Sequence, residues 1–225
     1  MKKVIYSLLT TLFKREWLLK LLTNKQEKAL LEFTHRGYLY DIGWTNAINM
    51  GSVVDKNGDP LPWVSYPYMQ FIGPRLTKQM RLFEFGSGNS TLYYAPKVAA
   101  VTSVEHDTGW YEAIKNRMPA NVELSLCELQ PGGDYCKYAS KQTTQYDVII
   151  VDGRDRVNCC LNSLGALKND GILVLDDSER GKYASAHVFM KQSGFKQIDF
   201  WGTAPIVDYL KCTTIFYRDG NCLGI

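Results

Sequence analysis

Apolar runs that alternate with helical stretches dominate the chain from about residue 80 onward. Five of these runs predict strands, at residues 81–85, 99–104, 122–128, 147–152 and 171–176. Helices are predicted among them, at residues 108–117, 157–168 and 182–193, and a short helix follows the first strand. The run "DVIIVD" is apolar at nearly every position, as in a strand whose two faces are both covered. Strands that alternate with helices in this way predict an α/β fold with a doubly wound, mostly parallel sheet.

Two more strands are predicted near residues 196–201 and 213–218. No clear helix separates them, and antiparallel neighbours, unlike parallel ones, can follow one another directly along the chain. We therefore expect these last two strands to form an antiparallel pair at one edge of a Rossmann-like sheet.

The part of the chain before this alternation predicts a separate extension. Residues 1–36 have a helical pattern, and a further helix is expected over residues 68–77. Residues 37–67, between them, are rich in Gly, Pro, Asn and aromatic residues. Long irregular segments in compact proteins often form lids or binding loops. We thus divide the chain into a helical and loop extension over residues 1–67, acting as a cap or lid, and a main domain over residues 68–225.

The first 22 residues form an amphipathic pattern that is too short to span a bilayer. Large apolar residues recur there at helical spacing, with lysines and an arginine among them. One hypothesis is that this helix packs on the domain or on a partner. The other is that it lies peripherally on a membrane surface, where the basic residues would suit anionic lipid.

Composition and charge narrow the classes of function. The 225 residues carry a formal net charge of only +3, with both signs spread along the chain, which argues against a nucleic-acid partner. The six cysteines form no CxxC pair and no spacing typical of metal ligands, so a zinc site is not expected. In a chain of this length they indicate the reduced thiols of a cytoplasmic protein. The oligomeric state is left open.

An acidic residue ends each of the five strands predicted in the alternating region. These acids are Glu84, Glu105, Glu128, Asp152 and the pair Asp176 and Asp177. In sheets of this type ligands bind at the carboxyl ends of the strands, near the point where the strand order reverses. A pocket surrounded by acids favours a ligand that carries positive charge and hydroxyl groups.

S-adenosylmethionine (SAM) matches this description, because it has an ammonium, a sulfonium, a ribose diol and no phosphate. Gly86 and Gly88 would let the backbone approach its methionine end, and Glu84 would face its ammonium directly or through water. Glu105, 19 residues after Gly86, has the spacing of an acid that binds a ribose diol. NAD needs the same acid. However, Thr91 stands where the third glycine of the NAD pattern is expected, and Glu84 would lie near its pyrophosphate.

Four stretches of the chain resemble successive motifs of class I SAM-dependent methyltransferases, and more narrowly those of a bacterial group of small-molecule methyltransferase-like proteins. They are "FEFGSGNST", "VTSVEHD", "YDVIIVDGRDRV" and "GILVLDDSER", and the resemblance covers roughly residues 60–218. It implies SAM binding and methyl transfer. The residues that it places around the cofactor are Glu84, Gly86, Ser87, Gly88, Ser90, Glu105, His106 and Asp152, with the adenine along Leu126, Cys127 and Glu128.

The acids after the fourth and fifth strands are the candidates for catalysis. Asp152 with Asp176 and Asp177 resembles the layout of metal-dependent catechol-type O-methyltransferases, in which acids at these strand ends hold a divalent ion. Those enzymes usually have Asp-Asn where this chain has Asp-Asp, and an oxygen-rich site of this kind would suit Mg²⁺. In a second hypothesis Asp152 serves the cofactor while Asp177 orients or deprotonates the acceptor. In a third, Asp177 only caps a helix together with Ser178.

The methyl acceptor is expected to be a hydroxyl of a small molecule or saccharide. Enzymes of this class that methylate amino groups of nucleic acids have an Asn/Asp-Pro-Pro-Tyr/Phe motif where this chain reads "DGRDR". Cysteine-dependent cytosine enzymes need a Pro-Cys pair, which Cys159-Cys160 does not provide. Two rival functions stay open, namely another group transfer on the same scaffold and a catalytically silent SAM-binding module that acts through partners.

Three arginines close to these strand ends have two interpretations. Arg154, Arg156 and Arg180 are predicted either to bind an anionic acceptor or to form surface ion pairs with Asp155 and Glu179.

Overall fold

The computed structural model describes residues 24–225, and within them the chain forms one seven-stranded sheet flanked by helices. The strands are β1 (Arg81–Phe85), β2 (Ala100–Glu105), β3 (Val122–Leu126), β4 (Tyr146–Val151), β5 (Leu167–Asp176), β6 (Lys196–Gly202) and β7 (Lys211–Tyr217). The α-helices are α1 (Lys25–Glu32), α2 (Tyr38–Asp41), α3 (Trp44–Met50), α4 (Tyr66–Ile72), α5 (Asn89–Tyr94), α6 (Thr108–Ile114), α7 (Arg156–Ser163) and α8 (Ala184–Gln192).

The strands lie in the order β3-β2-β1-β4-β5-β7-β6. Strands β1 to β5 pair in parallel, whereas β7 runs antiparallel to both β5 and β6. The predicted doubly wound sheet and its antiparallel edge pair are therefore confirmed. The chain moves outward from β1 to β3 and then continues on the other side of β1 with β4, so the strand order reverses between β1 and β4.

Alternate side chains of the central strands pack into two cores, one on each face of the sheet. Phe83, Phe85 and Ile149 belong to the core that also contains buried residues of α7 and α8. Leu82 and Ile150 belong to the other, with buried residues of α4 and α5. Strand β4 is buried at every residue, which explains its unbroken apolar run. Removal of this apolar surface from water is the main force that holds the layers together.

Strand β5 is longer than predicted, for a physical reason. It begins at Leu167 rather than at Gly171, and α7 correspondingly ends at Ser163. Asn169 and Asp170 are exposed and look like a turn in the sequence, but the strand passes through them with a shift in its pairing to β4. A Cβ atom at Gly171 would lie 2.8 Å from the side chain of Leu167, so glycine is required at this irregularity.

Helix α4 starts earlier and ends earlier than the helix predicted over residues 68–77. It begins at Tyr66, because Pro67 is compatible with the first turn of a helix. It ends at Ile72, where the chain tightens into the 3₁₀ turn Gly73–Arg75.

Residues 37–67, predicted as one irregular segment, contain the short helices α2 and α3 and then a loop. Gly43, between the two helices, has a φ of 84°, and a Cβ atom there would lie 2.5 Å from the backbone nitrogen of Lys56. Val54 forms an isolated antiparallel bridge with Pro60. The loop is therefore folded on itself and packed against the preceding helices.

Within residues 24–225 no helix is long and apolar enough to cross a membrane. The amphipathic helix predicted over residues 1–22 lies outside the described residues. Its contact with the domain, a partner or a membrane surface therefore stays a prediction, as does the division of the chain after residue 67.

Candidate active site

A cavity of about 850 Å³ lies at the carboxyl ends of β1, β2, β4 and β5, where the strand order reverses. The strand-end acids that line it are Glu84, Glu105, Asp152, Asp176 and Asp177. Residues from the loop 51–63 also line it, including Trp63 at the end of that loop. The cavity thus lies at the edge of the sheet where the sequence predicted a ligand.

The turn after β1 contains two glycines at positions where a side chain would be unfavourable. Gly86 and Gly88 have φ values of 98° and 144°, in the region that favours glycine. A Cβ atom at Gly86 would lie 3.4 Å from the backbone oxygen of Asp152. At Gly88 a Cβ atom would lie 3.2 Å from the ring of Trp110. The turn therefore presents bare backbone to the cavity, as a closely approaching ligand requires.

Glu84 is a buried carboxyl group that is only half satisfied. It is 1% exposed, and its Oε2 accepts a hydrogen bond from Thr91 Oγ1 at 2.6 Å. Its Oε1 has no hydrogen-bond partner among residues 24–225. Burial raises the pKa of Glu84 to about 7. A lining residue with an unpartnered carboxylate oxygen suits a cationic group of a ligand.

Thr91 occupies the place of the third glycine in the NAD pattern and has a positioning role that the sequence analysis missed. It is fully buried on α5, where its hydroxyl donates to Glu84 and accepts from the backbone N–H of Gly88 at 3.0 Å. One side chain thereby fixes the acid relative to the glycine turn.

Glu105, at the end of β2, has donors on both carboxylate oxygens. Oε2 accepts from Ser87 Oγ at 2.7 Å, and Oε1 accepts from the backbone N–H groups of His106 and Asp107 at 2.8 and 3.0 Å. Trp110 lines the cavity nearby and donates from Nε1 to the carbonyl of Ser87 at 2.9 Å. The carboxylate is thus held in place, with a hydroxyl donor that a ribose diol could replace.

The acids after β4 and β5 are bridged by two buried cations. Arg156, at the start of α7, donates to Asp152 Oδ1 at 2.9 Å and has its Nη1 3.4 Å from Asp177 Oδ2. Lys211, at the start of β7, has its Nζ 2.8 Å from Asp176 Oδ2 and 3.1 Å from Asp177 Oδ1. Both cations are more than nine-tenths buried. The strand ends therefore carry an ion-pair network rather than a row of free carboxylates.

Asp177 has both of its carboxylate oxygens engaged. Oδ1 contacts Lys211, and Oδ2 lies 2.8 Å from Arg180 Nη2. Its φ of 54° is left-handed, a conformation that Asp tolerates better than most residues. The 3₁₀ turn that follows begins at Gly181 and has no side-chain cap. The geometry thus favours an ion-pair role for Asp177 over the helix-capping hypothesis.

Asp152 differs from Asp177 because one of its oxygens is not engaged. Oδ1 accepts from Arg156, while Oδ2 accepts no hydrogen bond from any of the described residues, and the side chain is 19% exposed. Burial and the negative charge of Asp176 raise the pKa of Asp152 against the opposing charges of Arg156 and Lys211. Such a carboxylate is better suited to accept a proton than an ordinary aspartate.

The three acids do not fit a divalent metal ion. No group of three or more His, Cys, Asp or Glu side chains within residues 24–225 is placed to hold one. Burial disfavours the charged form of Lys211, but the charges of Asp176, Asp152 and Asp177 outweigh it and raise the pKa of Lys211. An ammonium group therefore stays where these oxygens converge, and the geometry gives the predicted Mg²⁺ no place.

The predicted adenine segment, Leu126, Cys127 and Glu128, does not line the cavity. Strand β3 ends at Leu126, two residues before its predicted end, and Glu128 is exposed beyond it. The contact of this segment with an adenine stays a prediction. The other predicted residues, including Ser87, Ser90 and His106, all line the cavity.

The three arginines prove to have different environments. Arg156 is buried in the ion-pair network. Arg180 pairs with Asp177 and also lies 3.9 Å from Glu179, as one of the two interpretations predicted. Arg154 is exposed, lines the cavity and forms no ion pair with any residue of the described part of the chain.

Lys211 is a second site residue that the sequence analysis missed. It begins the stretch "KCTTIFY", in which β7 is buried at every residue except the last. A lysine at a buried position is rare unless it is paired, because desolvation of an unpaired ammonium is unfavourable. A lysine at the start of an apolar strand was therefore a signal in the sequence that this residue is paired. The sequence did not show which acids are its partners.

Comparison with known proteins gives matches by structure only. No family model and no curated protein sequence matches the chain. A "putative O-methyltransferase" from Klebsiella pneumoniae aligns with a TM-score of 0.55 and 15% identity, over 87% of this chain and 96% of that chain. A "putative caffeoyl-CoA O-methyltransferase" from Staphylococcus aureus aligns with a TM-score of 0.54 and 13% identity, over 87% of this chain and 100% of that chain.

A spermidine synthase in complex with the transition state analogue AdoDATO also aligns, with a TM-score of 0.54 and 15% identity, over 70% of this chain and 60% of that chain. These likenesses confirm the fold that the motifs predicted. The chain has the fold of class I SAM-dependent methyltransferases.

Proposed function

We propose that the protein is a SAM-dependent methyltransferase that methylates a hydroxyl group of a small molecule or a saccharide. The observation that carries the proposal is the buried carboxyl of Glu84, a residue of the cavity lining whose Oε1 has no hydrogen-bond partner among residues 24–225. SAM, when bound, supplies an electrophilic methyl group. The chain then has to bind SAM, orient the acceptor and take up its proton.

The ends of β1 and β2 would hold the cofactor. Glu84 offers negative charge to the ammonium, and Glu105 offers a fixed carboxylate to the ribose diol. Gly86 and Gly88 leave room for the methionine portion. A dinucleotide fits less well, because the charge of Glu84 would oppose a pyrophosphate at this turn.

The ends of β4 and β5 would handle the acceptor. Asp152 has an unengaged oxygen and a raised pKa, so we assign it to accept the hydroxyl proton at Oδ2. Asp177 would orient the acceptor side of the cavity through its pairs with Arg180 and Lys211. This assignment moves the proton transfer from Asp177, which the second sequence hypothesis favoured, to Asp152.

The lining of the cavity supports a small acceptor with a ring. Trp63, Trp110 and Tyr209 line it and are each about half exposed, so that flat apolar surface is available beside the acids. Such surface suits the face of a sugar or an aromatic ring. The structural similarity to proteins described as O-methyltransferases agrees with a hydroxyl acceptor.

Calorimetry with SAM and with NAD tests the cofactor. We expect SAM to bind with a micromolar Kd and NAD far more weakly, whereas NAD binding as tight as that of SAM would overturn the proposal. A turnover screen over sugars, phenols and carboxylates, with and without Mg²⁺, then measures S-adenosylhomocysteine. SAM binding without product from any acceptor would instead point to the silent module.

A further inference from the structure

The two buried cations at the ends of β4 and β5 are each fixed by several hydrogen bonds and ion pairs. Lys211 has three polar neighbours, because its Nζ donates to the carbonyl of Trp63 at 3.0 Å and to Asp176 Oδ2 at 2.8 Å and lies 3.1 Å from Asp177 Oδ1. Arg156 donates from Nε to the carbonyl of Gly153 and from Nη2 to Asp152. Neither side chain is arranged as a flexible surface charge.

The carboxylates of this network are paired with cations of the chain. Asp152, Asp176 and Asp177 face Arg156, Lys211 and the half-exposed Arg180, and Arg180 also lies 3.9 Å from Glu179. Buried charges are tolerated only when they are paired and hydrogen-bonded. A divalent ion would therefore have to displace an ammonium or a guanidinium from these carboxylates.

The ammonium of Lys211 lies where a bridging metal ion would lie. Its Nζ is 2.8 and 3.1 Å from one oxygen of Asp176 and one of Asp177, and Arg156 connects these acids to Asp152. A Mg²⁺ ion needs oxygen ligands at about 2.0–2.1 Å. The carboxylates are therefore spaced for nitrogen cations and would have to move inward by roughly 1 Å to bind a metal.

We infer that Lys211 and Arg156 take the place of a divalent metal, and that the methyl transfer proposed above, on which this inference rests, proceeds on these fixed charges. Both are positioning residues, since they hold Asp152 and Asp177 without having to touch the acceptor. Lys211 also anchors the loop 51–63 through Trp63, so that the positive charge and the wall of the cavity are fixed by the same side chain.

Mn²⁺ binding, followed by electron paramagnetic resonance, tests the inference without an acceptor or turnover. The full chain is compared with Lys211→Ala and with Lys168→Ala, a matched control that removes another Lys–Asp pair, 2.8 Å from Asp147 and away from the cavity lining. Lys211→Met is the second variant, because it keeps most of the side-chain volume if the alanine variant does not fold.

We expect the wild type and Lys168→Ala to leave Mn²⁺ free in solution. Loss of the ammonium should let the carboxylates close on the ion, so the Lys211 variants should bind Mn²⁺ about tenfold more tightly or better. Stoichiometric Mn²⁺ binding by the wild type that Asp177→Asn removes would overturn the inference. So would a folded Lys211 variant that binds Mn²⁺ no better than the wild type. If the protein does not bind SAM, the proposed function is refuted. The Mn²⁺ measurement can still be interpreted, because it does not involve SAM.

Discussion

The raised pKa of Glu84 predicts a measurable loss of stability as pH rises. The carboxyl ionises near 4.5 in its ordinary state and near 7 when it is buried in the folded protein. The unfolded chain therefore loses this proton first, and folding stability falls as pH rises from about 4.5 to about 7. At 1.36 kcal/mol per pKa unit, the full penalty is about 3 kcal/mol, of which about 2.5 kcal/mol develops between about pH 5 and about pH 8.

Glu84→Gln removes this ionisation and leaves the shape of the side chain almost unchanged. The new amide has its own constant cost or gain, but that contribution does not depend on pH. The difference in unfolding free energy between the variant and the wild type should therefore change by about 2.5 kcal/mol, in favour of the variant, from about pH 5 to about pH 8. Urea unfolding followed by circular dichroism at several pH values measures this difference.

Glu128→Gln is the control, because it makes the same chemical change at an exposed carboxyl outside the cavity lining. Its stability should stay parallel to that of the wild type over the same pH range. If the unfolding free energies of Glu84→Gln and the wild type also run parallel with pH, the pKa of Glu84 is not raised in the folded protein. The argument for an ammonium partner would then lose its basis.

The same substitution should act in the opposite direction on the ligand. SAM should bind the wild type more tightly at about pH 7.5 than at about pH 6, because Glu84 has to ionise before it can attract the ammonium. Glu84→Gln should bind more weakly and with less dependence on pH. A variant that is more stable at high pH and also binds SAM less well is the signature of a carboxylate kept for a ligand.

Three further predictions concern the rest of the site. Glu105→Ala should cost about 1–3 kcal/mol of SAM affinity by calorimetry, from lost charge-assisted hydrogen bonds, and unchanged affinity would place the ribose acid elsewhere. Asp152→Asn should lower kcat by about 100-fold or more, and Asp177→Asn by about tenfold, whereas the reverse ranking would return the proton transfer to Asp177. Gly153→Ala would bring a Cβ atom within 2.0 Å of the Tyr135 hydroxyl and should lower unfolding free energy by about 1–3 kcal/mol, and the absence of a partial rescue by Tyr135→Phe would contradict this cause.

The sheet was predictable from the sequence because its pattern is redundant. The central strand β4 is buried throughout, and its sequence is almost entirely apolar. The other parallel strands are likewise separated from one another by helices or loops. The errors fall where local signals compete with pairing. Asn169 and Asp170 favour a turn, but β5 pairs with β4 on both sides of them, and no local pattern reports such long-range contacts.

The site was predictable in its acids and unpredictable in its cations. Strand ends in this fold converge on one edge, so the position of Glu84, Glu105 and Asp152 in the sequence was enough to place them together. Lys211 reaches the same edge from β7, which lies far along the chain and enters the sheet between β5 and β6. Its contact with the acids depends on that insertion, and a charge alone does not reveal it.

The buried acids of the cavity differ in how their negative charge is compensated. Asp176 and Asp177 are buried with their counter-charges supplied by the chain, at contacts of 2.8–3.1 Å to Lys211. Glu84 is equally buried, yet the described part of the chain offers it hydroxyl groups and no cation, and its Oε1 accepts no hydrogen bond. Because an unpaired buried charge is unfavourable, burial favours the protonated form of Glu84 in the absence of a ligand. A ligand cation that replaces this proton recovers the unfavourable energy as binding energy. An acid left without a partner is thus the better guide to the ligand's charge, and this contrast is the reason why we propose Glu84 as the partner of a cationic group of the ligand.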